Sequence, residues 1–230
     1  MKAHPSARLR WKESVRIVGA EHGTNEVLER VTDAEDLEVV LAFEALTSPS
    51  ATDLLARLSN VEPARRFVGP GSSDAMAPFL YYAPPGGRFS DGSYGVYYAA
   101  RDRATAISET RFHRERLLRE AGAPSQVVAL RVLLAALDVV VVDLRAETAA
   151  ELSDPDPDPA HYGAAKAFGA RSRADGANGV AYRSVRREGG ECVALFHSRA
   201  VGAVRRAEQL HYEWSGTRRE VVAVTQLLGR

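Results

Sequence analysis

GRFSDGSYGVYYAARDRATAISET, residues 87–110, is the densest stretch of the chain and the one that orders the rest. A glycine-flanked arginine, Arg88, precedes a run of tyrosines. A lone glutamate, Glu109, follows within a few residues. GVYYAA, residues 95–100, is aromatic and free of breakers, which suits a half-buried strand. Side chains alternate along a strand, so Tyr98 shares a face with Val96 and Ala100. Asp102 stands where an N-cap is needed, ahead of RATAISETRFHRERLLREAG, and Gly122 closes that helix. The reading is a turn, a short strand and a helix, with Arg88, Tyr98 and Glu109 brought close by local chain geometry.

Downstream, VVALRVLL (127–134) and DVVVVDLR (138–145) read as two strands. The repeated prolines of SDPDPDPAH (153–161) forbid helix and sheet and mark a loop. HYGAAKAFGARSRA reads as a weak helix. GVAYRSV and ECVALFHS read as strands joined by a turn at Arg187–Gly190, and LHYEWSGTRREVVAVTQL as a hairpin turning at Ser215–Gly216. Upstream, the glycines and prolines between Pro63 and Gly92 predict turns and short strands. DAEDLEVVLAFEALT repeats Leu37, Val40, Leu41 and Leu46 at helical spacing, and ATDLLARLSN follows Ser48-Pro49-Ser50 as a second helix. Residues 1–30 are polar and mixed around a short apolar patch at Val15–Val18. Residues 1–62 are therefore expected to be a helical N-terminal segment packed on a core formed by 63–230. Strands linked by turns, without regular helical crossovers, predict an α+β fold with mostly antiparallel sheets.

Across 230 residues, 45 % hydrophobic and 26 % charged, a sizeable core is affordable. The 30 basic and 30 acidic side chains cancel, which argues against a nucleic-acid or membrane footprint spread over the surface. One cysteine, Cys192, allows no internal disulfide and suits plain buried packing. The N-terminal residues lack the apolar core of a secretory signal, and no apolar run reaches the ~18 residues of a membrane span. A cytoplasmic protein is expected.

Motif chemistry narrows by elimination. There is no GxxxxGK loop, no strand leading into a GxGxxG helix, no HExxH and no GxSxG elbow. Glu109 and His113 share a helix face, but no second such pair supports a metal. Arg66, Arg88, Tyr94, Tyr98, Glu109 and Ser184 remain. Singly, each has a plain structural role open to it: a solvated turn arginine, a core tyrosine, a helix glutamate paired with Arg101 or Arg116, a serine ending a strand.

Together these residues resemble the RES-domain family, named for an arginine, a glutamate and a serine. The family pattern joins a G-R-[FW] turn, here Gly87-Arg88-Phe89, to a strand ending in tyrosine, Tyr98, and a helix bearing the glutamate, Glu109. A later G-[VI]-x-Y-x-S-x-R strand matches Gly179–Arg186 and supplies Ser184. An earlier arginine maps to Arg66, in RRFVGPG, with Arg65 adjacent. Phe43-Glu44-Ala45-Leu46-Thr47 and the terminal LHYEWSG also resemble longer members, so the likeness spans roughly residues 15–227.

The resemblance implies an ADP-ribosyltransferase-like core and a toxin of a bacterial toxin–antitoxin pair that consumes NAD without a metal. It implies hydrolysis or phosphorolysis at the nicotinamide–ribose bond, or ADP-ribose transfer to a protein. A non-catalytic interaction protein is the reading from another class. The implied partner is an antitoxin with an Xre-like DNA-binding domain that blocks the pocket, so nucleic acid is not bound by this chain directly. Guanidinium groups at Arg66 and Arg88 suit a pyrophosphate. Tyr98 or Tyr94 suits a stacked nicotinamide cation, with Ser184 as a hydrogen-bond donor to substrate. Glu109 suits the positive charge that develops on the ribose.

Overall fold

In the computed structural model, residues 4–21, 25–147, 152 and 162–227 are described. The strands are β1 (Ser6–Gly19), β2 (Tyr97–Ala100), β3 (Gln126–Asp143), β4 (Gly179–Arg183), β5 (Glu191–Leu195), β6 (Val204–Ser215) and β7 (Glu220–Leu227). The helices are α1 (Glu26–Arg30), α2 (Asp36–Ala45), α3 (Pro49–Leu58), α4 (Ser72–Leu80), α5 (Arg103–Glu120) and α6 (Gly163–Ala174). The strands form one sheet in the order β1-β2-β5-β4-β3-β6-β7. Among the described residues, only β3 and β4 pair in parallel. β1 pairs with β3 as well as with β2, so five strands close on themselves and β6 and β7 extend outward. This is the expected α+β fold, with a mostly antiparallel sheet.

Period-two alternation sorts the sheet into two faces. Ala181, Val193 and Leu195 face one way, in a cluster that buries Leu28, Leu37, Leu41, Leu54, Leu58 and Met76 from α1–α4. Each fully buried leucine there stabilises the fold by about 1.5–3 kcal/mol. Val180, Tyr182, Cys192 and Ala194 face the other way, against Ala106 of α5 and Ala165 of α6. Cys192 is part of that packing, as its lone occurrence suggested.

Three local readings need correction. Residues 6–19, inside the segment expected to be helical, are a strand that pairs along nearly its whole length with β3. The alternation of Ala7, Leu9 and Trp11 with Arg8, Arg10 and Lys12 is the period-two signal, hidden by its charge. A bulge between Trp11 and Ser14 then switches faces, so Leu9 and Trp11 join the first cluster and Val15 the second. Residues 72–80 are a helix, where the flanking glycines and prolines suggested turns and strands. Gly71 starts it with φ +82°, and a Cβ there would meet the Val204 carbonyl oxygen at 2.4 Å. The two strands expected at 127–134 and 138–145 are one. Ala135-Ala136-Leu137 holds no turn residue, and β3 stays continuous by pairing with β6 over its first half and with β1 towards its second.

Other expectations hold. Ser48 accepts from the Ala51 amide at 3.4 Å and caps α3, with Pro49 in the first turn. Asp102 caps α5, accepting the Thr105 amide at 2.9 Å. The terminal hairpin forms between Ser215 and Glu220. The α2 periodicity is partly obeyed: Leu37 and Leu41 are buried, whereas Leu46 is exposed. The proline loop at 153–161 lies outside the described residues. α5 also grips the last strand. Glu115 accepts the Val221 amide at 2.9 Å, Arg111 donates to the Val221 carbonyl at 2.7 Å, and Arg119 donates to the Arg219 carbonyl at 2.8 Å.

Candidate functional site

The turn at residues 87–90 is tied to the two tyrosines that follow it. The Phe89 amide donates to the Tyr98 hydroxyl at 3.0 Å, and the Tyr94 hydroxyl donates to the Phe89 carbonyl at 2.5 Å. Ser90 Oγ donates to the Tyr94 carbonyl at 2.6 Å. Gly87 permits this closeness, since a Cβ there would lie 2.8 Å from the Tyr98 hydroxyl. Burial raises the Tyr98 phenol far above its usual range and Tyr94 to about 12, so both act as neutral rings. Tyr97 faces the opposite side, fully buried in the cluster beneath α1–α4. Strand alternation thus separates the two neighbours on β2: Tyr98 lines the cavity, as Tyr94 does from the preceding turn, and Tyr97 does not.

That cavity, about 570 Å³, is within the range of small-molecule sites. Arg88 lines it, with its guanidinium carbon 5.0 Å from the Tyr182 ring centre and an N–H donated to the Leu152 carbonyl at 2.5 Å. Glu109 enters from α5. Its carboxylate accepts the Ser184 hydroxyl at 2.5 Å, across 75 residues of sequence. The amides of Arg186 and Arg187 both donate to Ser184 Oγ at 3.1 Å. The one proton of this serine is therefore spent on the carboxylate, and its oxygen is filled by the turn after β4. Ser184 positions Glu109 and is not itself a cavity wall. Of the two arginines suggested as partners of Glu109, Arg101 pairs with Glu191 at 3.2 Å, and Arg116 pairs with Glu120 at 3.5 Å.

Arg66 does not join this group. It is buried away from the cavity, donating to the Val61 carbonyl at 2.8 Å and the Leu58 carbonyl at 3.2 Å and pairing with Glu38 at 2.7 Å. These carbonyls lie at the end of α3 and just beyond it, so Arg66 finishes a helix terminus. Arg65 lines a neighbouring cavity instead.

Arg16 lines the site and was not singled out from sequence. Its guanidinium lies 5.0 Å from the Tyr97 ring centre and donates to the Tyr98 carbonyl at 2.9 Å. Desolvation works against its charge, and the two tyrosines offset part of that cost. A signal was present: one arginine inside the β-branched run Val15–Val18, where a charge needs a partner or a purpose. Tyr182, within the strand motif, is a second missed wall residue. His113 stands exposed at the cavity. Desolvation by the wall, with the Arg116 and Arg186 guanidiniums, holds its imidazole below the usual range. No group of three or more histidine, cysteine, aspartate or glutamate side chains able to hold a metal occurs among the described residues.

Arg16, Arg88, the rings of Tyr94, Tyr98 and Tyr182, and the positioned Glu109 carboxylate thus belong to one cavity. The RES domain profile matches residues 63–215. The chain belongs to the RES domain family. The motif residues Arg88, Tyr98, Glu109 and Ser184 of this RES chain all lie inside the matched span. Arg16 lies before it. Among solved structures, the chain is similar to one in the crystal structure of the M. tuberculosis MbcT–MbcA toxin–antitoxin complex, at 13 % identity and a TM-score of 0.42, over 92 % of this chain and 89 % of that one. No curated protein matches the sequence. No described helix is long and apolar enough to cross a membrane.

Proposed function

We propose that this RES-domain chain is the toxin of a toxin–antitoxin pair and cleaves NAD at the nicotinamide–ribose bond. One observation carries the catalytic part: the Glu109 carboxylate held by Ser184 at 2.5 Å in a cavity that also presents Arg16, Arg88, Tyr94 and Tyr98. Breaking the glycosidic bond leaves positive charge on the ribose. A preoriented carboxylate stabilises that charge without reorganising, because its position is already set. Ser184 supplies the orientation and the two amides behind it fix the serine. Arg16 and Arg88 suit the pyrophosphate, as fixed guanidinium donors do. A tyrosine face suits the nicotinamide cation, at about 1 kcal/mol.

Family membership supports the toxin half of the reading. The partner is then an antitoxin of the Xre-like kind, covering the cavity where Tyr81 and Leu117, both exposed, stand among its walls. DNA contact would belong to that partner.

Purified protein incubated with NAD is expected to release nicotinamide, and Glu109→Gln to remove that release. Products followed with and without phosphate separate water from phosphate as acceptor. A labelled protein band from labelled NAD would instead mark ADP-ribose transfer. An unaltered NAD pool, with no growth arrest on expression, would overturn the reading in favour of a non-catalytic interaction protein.

A further inference from the structure

A second cavity, about 520 Å³, lies beside the first and shares Tyr82 and Tyr94 as common walls. Its charged lining is Glu62, Arg65 and Arg173, with His197 and Asn60 as further polar walls. Arg65 comes from the short turn after α3 and Arg173 from the last turn of α6, so two distant segments bring guanidiniums to one space. Arg65 pairs with Glu62 at 2.9 Å through Nε, leaving most of its donors uncommitted by that pair. Arg173 lies over the Tyr94 ring, 4.8 Å from its centre, and its Nε is buried with no hydrogen-bond partner among the described residues. A buried donor left unmade is costly, and an acceptor in the cavity that drew the guanidinium toward itself would recover the loss.

We propose that this cavity is an anion site for a phosphate group, either free inorganic phosphate or the phosphoryl end of a nucleotide, gripped by Arg65 and Arg173. The inference stands on its own geometry and does not require the glycosidic chemistry of the first cavity. His197 is a built-in reporter of it. Its Nδ1 accepts the Ala200 amide at 3.2 Å and its Nε2 bonds Asn178 Oδ1 at 3.0 Å, so both ring nitrogens are occupied and the ring is a witness, not a ligand. Desolvation and the charges of Arg65 and Arg199, opposed by Glu62, hold its imidazole below the usual range. That local field is positive. An anion between Arg65 and Arg173 must weaken it and move the His197 titration upward.

The test is an NMR titration of the whole chain, following the carbon-bound ring protons of His197, assigned with His197→Gln. The probes are inorganic phosphate and ADP-ribose, each against sodium chloride at equal ionic strength. A saturable shift with a raised His197 titration midpoint is expected, and Arg173→Gln should weaken apparent affinity about tenfold. Should that variant fail to fold, Arg65→Gln, on the cavity's other side, carries the same expectation. Response to phosphate supports a free-phosphate site, and response to ADP-ribose alone supports a nucleotide site. Chloride moving His197 equally, or a response unchanged in both folded arginine variants, overturns the site. Nicotinamide release read in parallel keeps the two proposals apart: release without a His197 response sinks only this one, and a response without release sinks only the other.

Discussion

Tyr97 and Tyr98 are neighbours on β2, yet they belong to different regions of the molecule. Tyr97 points into the layer beneath α1–α4, where leucines, alanines and Met76 close around it and its hydroxyl has no hydrogen-bond partner among the described residues. Tyr98 points into the other layer, where its hydroxyl takes the Phe89 amide and its ring lines the cavity. The arginines divide likewise. Arg66 donates to two carbonyls and pairs with Glu38, whereas Arg88 lines the cavity with its guanidinium over Tyr182, and Arg16 lines it from β1 with its guanidinium against Tyr97. One region is filled with apolar side chains and serves stability. The other leaves space and fixes polar groups around it, which is the arrangement a ligand site needs.

The sharpest way to break this division is Glu109→Gln. If the cavity side is the chemical side, nicotinamide release should fall about 100- to 1000-fold, the loss typical of removing one preorganised electrostatic group. Circular dichroism should show an unchanged fold. Ser184→Ala is the companion, expected to lower kcat more than it raises KM, because the serine acts through Glu109. The arginine pair comes next. Arg16→Met should raise the KM for NAD about tenfold or more, as loss of charge-assisted hydrogen bonds does. Arg66→Met should leave KM alone and cost about 1–3 kcal/mol of stability in a denaturant titration, since it strands buried carbonyls. Exchange of those two outcomes would reverse the assignment of regions.

Smaller effects sharpen the contrast. Tyr98→Phe should cost about 1 kcal/mol through the lost Phe89 bond, while Tyr97→Phe should be near neutral, because it removes a hydroxyl with nothing to bond. On α5, Asp102→Ala should cost about 1 kcal/mol as a lost cap. Desolvation raises the Asp102 pKa, but the Thr105 donors and Arg187 outweigh it and leave it lowered. A lowered folded pKa means that this stability is present above the ordinary aspartate value and is lost as the pH falls through the folded one. The difference between wild type and Asp102→Ala should therefore shrink in strong acid, as thermal melts at stepped pH would show.

How much of this was legible depended on what each residue signals locally. The helix of Glu109 announced itself through Asp102 and Gly122, and the hairpins through their turn residues. Arg88, Tyr98 and Glu109 sit within one short stretch, so their meeting follows from local structure. The meeting of Ser184 with Glu109 is different. It depends on β4 and β5 lying beside β2, which no local pattern encodes; only the family motif joined them. Arg16 was missed because the first half of β1 alternates charged with apolar residues, and a polar average hides a period of two. Arg66 misled for the opposite reason: an arginine a few residues from Pro63 and Gly69-Pro70 looks available, and only the packed end of α3 reveals that it is buried on the Val61 and Leu58 carbonyls and Glu38. The helix at Ser72–Leu80 was masked by Gly69, Pro70 and Gly71, breakers that mark where it begins.

Because α5 carries Glu109 near its middle and holds Val221 and Arg219 through Arg111, Glu115 and Arg119, the Glu109 carboxylate is braced against the closing hairpin. Fusions or cuts in the closing hairpin are thus not remote edits. They tug on the beam from which the acid hangs.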